Sequence, residues 1–503
     1  MDIFANLALG FSTALSLQNL FFVFAGASIG TLFGAFPGLS APTAIALLLP
    51  VTFGLDPTSA IIMLAGIYYG ASFGNAITAV LIGIPGDSAA VMTALEGYKL
   101  AQKGKAGHAL TVSAVASFCA CIMGVVVFAA TGPTLAWWAL SFGPPEYFSL
   151  IVMSFAMMPA FASQGRAKLL VSLGLGLVFA LVGVDQFTAR ERFTFGMPEL
   201  FSGIPFVPAI IGLFGIADIF YYAGMRRDQD EKPPIVRLRD MLPSIAEWRL
   251  LKGTILRGSV VGFIIGVLPG AGGTIAHFAA YAIERSVSKI RHLFGTGVLA
   301  GVAAAESGNS GAAIGAMVPL MTLGIPGSGT TAIMLGGFLI WGLQPGPMLF
   351  QSQPAFAWGL IASMFIGNIM LLFMNTVFVP FYARLLQVPT TILTALVVVF
   401  CSAGVYSVNT NLVDIWLMFG FGILGYFLNL LRFPTAPLVL GLVLGPLLEA
   451  NMRQSFALSD NGFLIFLQRP ISASLIFIST VLFFGPVVYD FVKTLLKKPS
   501  LAE

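Results

Sequence analysis

Two short stretches could hold an ion inside an otherwise apolar chain. Gly83-Ile84-Pro85-Gly86-Asp87-Ser88 and Gly324-Ile325-Pro326-Gly327-Ser328-Gly329-Thr330-Thr331 each end an apolar run and precede another helical stretch. Proline removes a backbone donor and glycine permits unusual dihedrals, so each stretch reads as a break. The chain then starts a fresh helix, whose free N–H groups and positive dipole end attract anions. Ser88, Ser328, Thr330 and Thr331 can add hydroxyl contacts, with Gly86 and Gly327 at the turns themselves. Carbonyls freed before the break suit a cation such as Na⁺. Secondary transporters hold substrates and coupling ions on discontinuous helices of this kind.

Polar residues elsewhere point to the same chemistry. Glu306-Ser307-Gly308-Asn309-Ser310 lies in an apolar stretch, where charge is expensive and usually functional. The other reading is a hydrogen-bonded helix interface. The first half answers with Ser72-Phe73-Gly74-Asn75 and Thr78. Asn75, Thr78, Asp87, Ser307, Asn309 and Ser310 are therefore the candidate cation ligands. The coupling ion would be Na⁺ or H⁺, with no resident cofactor and no other metal. Asp87 could equally cap the following helix. Glu96, Glu284, Asp185 and Asp218 lie near span ends and read as interface anchors. Gly308-Asn309-Ser310-Gly311 also spells the G-x-S-G of intramembrane serine proteases. That chemistry needs a histidine base on a later helix, and none follows His292, so the chain does not read as an enzyme. Cys119 and Cys121, two apart, read as small core hydrophobes and not as a metal or redox pair.

These residues sit in a chain that must use lipid as solvent. Hydrophobic residues fill 57% of 503 positions and charged residues 9%, whereas soluble proteins carry about 25% charge. A span needs ~20 apolar residues, which leaves room for about 10–12 transmembrane helices and shorter re-entrant pieces. The expected fold is an all-α polytopic membrane protein. The net charge of +4 reports topology here and implies no nucleic-acid partner. The N-terminus has no basic region and does not read as a cleaved signal peptide.

The chain also repeats itself. Gly26, Gly30 and Gly34 lead into Pro37-Gly38-Leu39-Ser40, and Gly258, Gly262 and Gly266 lead into Pro269-Gly270-Ala271-Gly272. The two GIPG breaks follow in the same order. The expected units are a first repeat over 20–225, a cytoplasmic linker over 226–257, a second repeat over 258–450, and a C-terminal span with a cytoplasmic tail over 451–503. Lys99, Lys103 and Lys105 follow the first break, and the second break has no basic counterpart. Arg285, Lys289 and Arg291 follow the second glycine ladder, and the first has none. Opposite charge on matching elements is the mark of an inverted repeat. Arg257 and Arg285 then share a face, so the apolar segment between them is a re-entrant hairpin. Its tip, with Pro269, Gly270 and Gly272, and the first-half tip, with Pro37, Gly38 and Ser40, are candidate substrate contacts, because irregular backbone at membrane depth must line a cavity or be buried in protein.

Five stretches carry a family resemblance: PGLSAPTAIALLLPVTFG, GIYYGASFG, EGYKLAQKGKAGHAL, LPGAGGTIAHFAAY and LGIPGSGTTAIMLGGFLIWGLQPGPMLF. With these the chain resembles the large membrane subunit of the tripartite tricarboxylate transporter family, the TctA type. The resemblance implies receptor-dependent symport of an organic di- or tricarboxylate across the bacterial inner membrane, driven by a cation gradient. It implies a small four-span membrane subunit and a periplasmic solute-binding protein as partners. Departures fall at Ser40, around Gly74-Asn75-Ala76, across Ala304–Ser310 and at Glu96, close to the candidate site. No Walker-type phosphate loop is present. The hairpins also resemble those of elevator-type carriers, by fold analogy. The rival readings are a channel or pore-forming subunit and an intramembrane enzyme.

The charge pattern fixes a labelling experiment. Lys103→Cys and Lys289→Cys should react with impermeant thiol reagents from the cytoplasm, and Asp56→Cys and Gln344→Cys from outside. Labelling of positions 56 and 289 from one side would establish parallel repeats instead.

Overall fold

A computed structural model describes residues 3–36, 39–160, 165–223, 241–270, 272–385, 390–459 and 462–496. Pro37 and Gly38, and residues 226–240 of the basic linker, lie outside the described residues. The fold is all-α apart from one short ribbon. The first half opens with α1 (Ile3–Ala14) and α2 (Leu17–Ala35), then α3 (Ala41–Leu48) after the first tip. Asp56 caps α4 (Pro57–Ile82) by accepting from Thr58 and Ser59, and α4 stops at Gly83, whose φ of 70° is left-handed. After the break come α5 (Val91–Gln102), α6 (Ala106–Ala139), α7 (Pro144–Ala160) and α8 (Arg166–Ala180). The ribbon pairs β1 (Gly183–Val184) with β2 (Glu191–Arg192). The half closes with a helix in three pieces: α9 (Phe206–Ile210), a π-helical turn at Ile211–Ile216, and α10 (Ala217–Ala223).

The second half begins beyond the linker. It runs through α11 (Ile245–Val267), α12 (Gly272–Val287), α13 (Leu299–Gly315), α14 (Met317–Leu323) and, after the second break, α15 (Gly329–Ile340). Gly324 ends α14 with φ 71°, matching Gly83. Then come α16 (Leu349–Ser352), α17 (Pro354–Val377), α18 (Val379–Leu385), α19 (Thr390–Asn409), α20 (Leu412–Leu430) and α21 (Thr435–Ala457). α22 (Ile465–Gln468) and α23 (Pro470–Leu496) complete the chain. Among the described residues, 7 helices are long and apolar enough to span a membrane, or 8 if a pair bent by 97° near the C-terminus is one span. The remaining apolar length lies in shorter helices such as Phe206–Tyr221 and Gly329–Ile340. Pro-Gly breaks divide it, so apolar length alone overstates the number of unbroken spans.

The glycine ladders hold the core together. A Cβ on Gly26, Gly30 or Gly34 would lie well inside 3.0 Å of the carbonyl oxygens of Met63, Ile67 and Ala71 on α4. On α11, Gly262 and Gly266 meet the carbonyls of Gly308 and Ala312 on α13 in the same way, and Gly258 meets the Ser307 hydroxyl. Gly70 and Gly74 of α4, and Gly311 and Gly315 of α13, return the contact. Small residues let helix backbones approach in this manner. Each hairpin is thus keyed to one core helix at one height. In the second hairpin Glu284 near the end of α12 pairs with Arg257, midway along α11, at 2.8 Å, which ties the two helices together.

The outer helices are exchanged between halves. α7 and α8 of the first half pack on α21 of the second, and α20 of the second packs on α9, the π turn and α10 of the first. Glycines mediate both seams: a Cβ added to Gly441 would come to 2.6 Å from the Leu173 carbonyl oxygen, and one added to Gly425 to 3.0 Å from that of Leu213. A further repeat lies here, Pro205-x2-Pro208-x3-Gly212-Leu213 against Pro434-x2-Pro437-x3-Gly441-Leu442.

Three of the expected interface anchors, Glu96, Glu284 and Asp185, are buried instead. Glu96 is fully buried and accepts from Tyr281 Oη at 2.7 Å, Gly297 N at 2.8 Å and Val298 N at 3.0 Å. It binds α5 of one half to the turn before α13 of the other, and Lys103 adds a bond to the Thr296 carbonyl at 2.7 Å. Glu284 is buried on Arg257 and Thr254. Asp185, in the ribbon turn outside the helices, is held down at about 2 by the Phe187 N–H, aided by Thr188 and Arg192 against the cost of burial.

Gly30→Leu and Gly262→Leu should each prise a hairpin from its core helix. Overpacking of this kind costs about 1–3 kcal/mol or more, and both variants should lose thermal stability and monodispersity in detergent. Gly420 has nothing within 4 Å of an added Cβ, so Gly420→Ala should be neutral or stabilising. Equal behaviour of the three variants would sink the ladder argument.

Candidate functional site

The breaks and tips meet at one pocket of about 540 Å³. Four chain starts line it: Ser40–Pro42 at α3, Asp87–Ala89 leading into α5, Gly272–Ile275 at α12, and Ser328–Thr330 at α15. Tyr68 and Ser72 of α4 and Asn309 of α13 supply the floor, and Leu169 with Pro434, Ala436, Pro437 and Leu440 forms an apolar wall from α8 and the start of α21. Among the described residues, no lysine, arginine or histidine lines the pocket, and Asp87 is its single acid. Helix N-termini leave unpaired N–H groups, so the electropositive side of this pocket is built from backbone.

The glycine keying explains why these starts coincide. Gly86 packs on Asn75 of α4, where a Cβ would come to 3.0 Å, and Gly327 packs on the Gly266 carbonyl, where one would come to 2.9 Å. Gly270 N donates to the Gly327 carbonyl at 3.0 Å. Each break is thereby tied to the end of its own glycine ladder. The two halves are then stitched across the pocket. Ser88 Oγ and Thr274 Oγ1 are hydrogen-bonded at 2.8 Å, and Met92 N donates to His277 Nε2 at 2.8 Å.

The expected contacts divide. Ser40, Ser88, Gly270, Gly272, Ser328 and Thr330 stand on the wall, as do Asp87 and Asn309. Gly86, Gly327 and Pro269 support the wall from behind. Thr331 is fully buried and spent on a capping box: Ser328 N donates to Thr331 Oγ1 at 2.8 Å, and Thr331 N to Ser328 Oγ at 3.2 Å. Asp87 caps as well, accepting from Ala89 N at 2.7 Å and from Asn75 Nδ2 at 3.4 Å. Asn75 Oδ1 and Asn309 Nδ2 are buried without a protein partner. Buried polar atoms are rarely left unpaired, so this pair marks polar capacity in excess of what the fold uses. Thr78 bonds back to the Asn75 carbonyl, Ser307 faces Gly258, and Ser310 is buried off the wall. Glu306 is fully buried and accepts from Thr93 and Ser117, which matches the hydrogen-bonded interface reading.

Tyr68, Ser72 and Thr274 were not singled out as contacts by sequence. Thr274 follows a recognised tip by two residues, which is a usable signal. Tyr68 is one of two adjacent tyrosines, and nothing in the sequence says which faces the pocket.

The profile of the tripartite tricarboxylate transporter TctA family matches residues 20–440. An uncharacterized protein in the TAR-I ttuC' 3' region of Agrobacterium vitis is 42% identical over 476 residues, covering 95% of this chain and 94% of its own length. A second protein of that organism, from the TAR-II ttuC' 3' region, is 43% identical over 215 residues, 43% of this chain and 89% of its own. No solved structure matches.

Proposed function

Because the chain belongs to the tripartite tricarboxylate transporter TctA family, we propose that it takes up organic di- or tricarboxylates across the bacterial inner membrane as the large, multi-pass subunit of a receptor-dependent system. The convergence of helix starts on one pocket without basic side chains is the observation that carries this reading. A carboxylate is bound well by backbone N–H groups and hydroxyls. Each helix N-terminus is worth about 0.3–1 kcal/mol when exposed and up to ~2 kcal/mol when partly buried. A hydrogen bond to a charged group adds about 1.5–3 kcal/mol. Starts that face one another suit an acid with carboxylates at both ends.

The driving ion would sit beside the substrate. Asp87 and Asn309 are on the wall and Asn75 lies directly behind, and hard cations prefer such oxygen ligands. A cation there would offset the charge of a multivalent anion in a pocket that brings no basic side chain of its own. The packing of outer helices across the two halves supports alternating access, in which the keyed hairpins move together against α8 and α21. A small four-span subunit and a periplasmic receptor complete the system.

Uptake of labelled citrate, succinate and acetate into proteoliposomes holding the chain, the small subunit and the receptor tests this. Citrate uptake should saturate and exceed acetate uptake. Thr330→Val should weaken citrate uptake about tenfold, the equivalent of roughly 1.4 kcal/mol. Asn309→Ala should raise the Na⁺ or H⁺ concentration needed for half-maximal uptake. Gly327→Leu should abolish uptake at normal abundance. If all three variants transport as the parent does, the site lies elsewhere.

A further inference from the structure

We propose that Asp218 is a proton-accepting carboxylate connected to the substrate pocket by a two-hydroxyl relay through Thr43 and Ser40. The proposal rests on the transport reading above and names a coupling proton for it. Ser40 stands on the pocket wall at the start of α3. Its Oγ is 2.9 Å from Thr43 Oγ1, and Thr43 Oγ1 donates to Asp218 Oδ2 at 2.8 Å. Asn429 Nδ2 of α20 donates to Asp218 Oδ1 at 3.3 Å. Thr43 is fully buried, so the middle link is dry.

The environment of Asp218 fits proton exchange. Among the described residues no lysine, arginine or histidine pairs with it. Of the elements packed around it, α3, α9 and the π turn carry no titratable side chain. α20 carries Asp414 and Tyr426, α19 carries Cys401 and Tyr406, and α10 itself carries Tyr221 and Tyr222. Thus none of these elements brings a cation, and a partly buried carboxylate packed among apolar helices without one is costly in its charged form. Neutralising it by a proton needs a path, and the hydroxyls supply one. Each hydroxyl has one proton to give and lone pairs to accept another. With Asp218 ionised, Ser40 donates to Thr43 and Thr43 to Asp218. A proton arriving at Ser40 Oγ from the pocket lets Ser40 pass its own proton to Thr43, and Thr43 pass its own to Asp218. The carboxyl becomes neutral, both hydroxyls are re-formed with reversed orientation, and no other reactant is needed.

The relay also joins two separately packed parts of the fold. Ser40 and Thr43 belong to the first hairpin, and Asp218 and Asn429 to one exchanged arm. A hydrogen bond to a carboxylate is roughly twice as strong as a neutral one. The proton therefore weakens the tie between hairpin and arm at the moment it is bound, which is what coupling requires.

Two measurements decide the matter. In infrared spectra of the chain in lipid, the parent minus Asp218→Asn difference should contain a protonated-carboxyl C=O band that disappears as pH rises. Absence of any such titrating band overturns the proposal whether or not the chain transports anything. In the reconstituted complex with citrate as probe, net uptake driven by a pH gradient should fall at least tenfold in Asp218→Asn and in Thr43→Val. The second variant keeps the carboxylate and breaks the wire. Citrate–citrate exchange, which moves no net proton, should fall less than threefold in both. Parent-like proton-driven uptake in either variant, or net uptake in the parent that ignores pH, overturns the proposal. Failure of the parent to move citrate at all would instead count against the transport reading, leaving the infrared result to judge Asp218.

Discussion

Everything near the pocket depends on how closely two pairs of helix backbones approach. α2 lies on α4, and α11 on α13, with glycine against carbonyl at successive turns. Contacts this close leave no slack for a hairpin to slide by a turn. They set the height at which each hairpin ends, and so the height at which α3 and α12 begin. Because Gly86 and Gly327 rest on the ends of these same ladders, the breaks share that height. One kind of packing, found on both α2–α4 and α11–α13, thus brings several helix starts to a single pocket.

Lipid makes that level chemically special. Helix interiors satisfy their own backbone groups, and only starts and ends leave any free. A cavity walled by starts offers helix dipoles and whatever N–H groups the caps leave free, and needs no long basic side chain. Arginine or lysine would hold an anion more tightly, yet would leave a bare cation buried whenever the pocket emptied, and that is costly. Dipoles and hydroxyls carry no such penalty. The empty pocket remains tolerable, which matters for a site that must release its cargo on every cycle.

Much of this was legible in the residues. The paired breaks, the two ladders and the polar Gly-Asn motifs named most of the wall, because glycine and proline act through local backbone geometry. Side-chain direction was less legible. Thr330 and Thr331 are adjacent, yet one faces the pocket and the other caps α15. Glu96 read as a span-end anchor, and its role appears only when the turn before α13 folds onto it from the other half. The outer seams were legible and unread: the shared Pro-x2-Pro-x3-Gly-Leu pattern marks both closing helices. What that pattern does not say is which partner each closing helix takes, since both seams are apolar and of similar size.

The exchange of closing helices sets the smallest unit that can exist. α21 leaves its own half to complete the α7–α8 seam, and α9 to α10 leave theirs to complete the seam on α20. A half-length chain would present a glycine-notched helix face and have nothing of its own to cover it. Two half-length chains could cover each other.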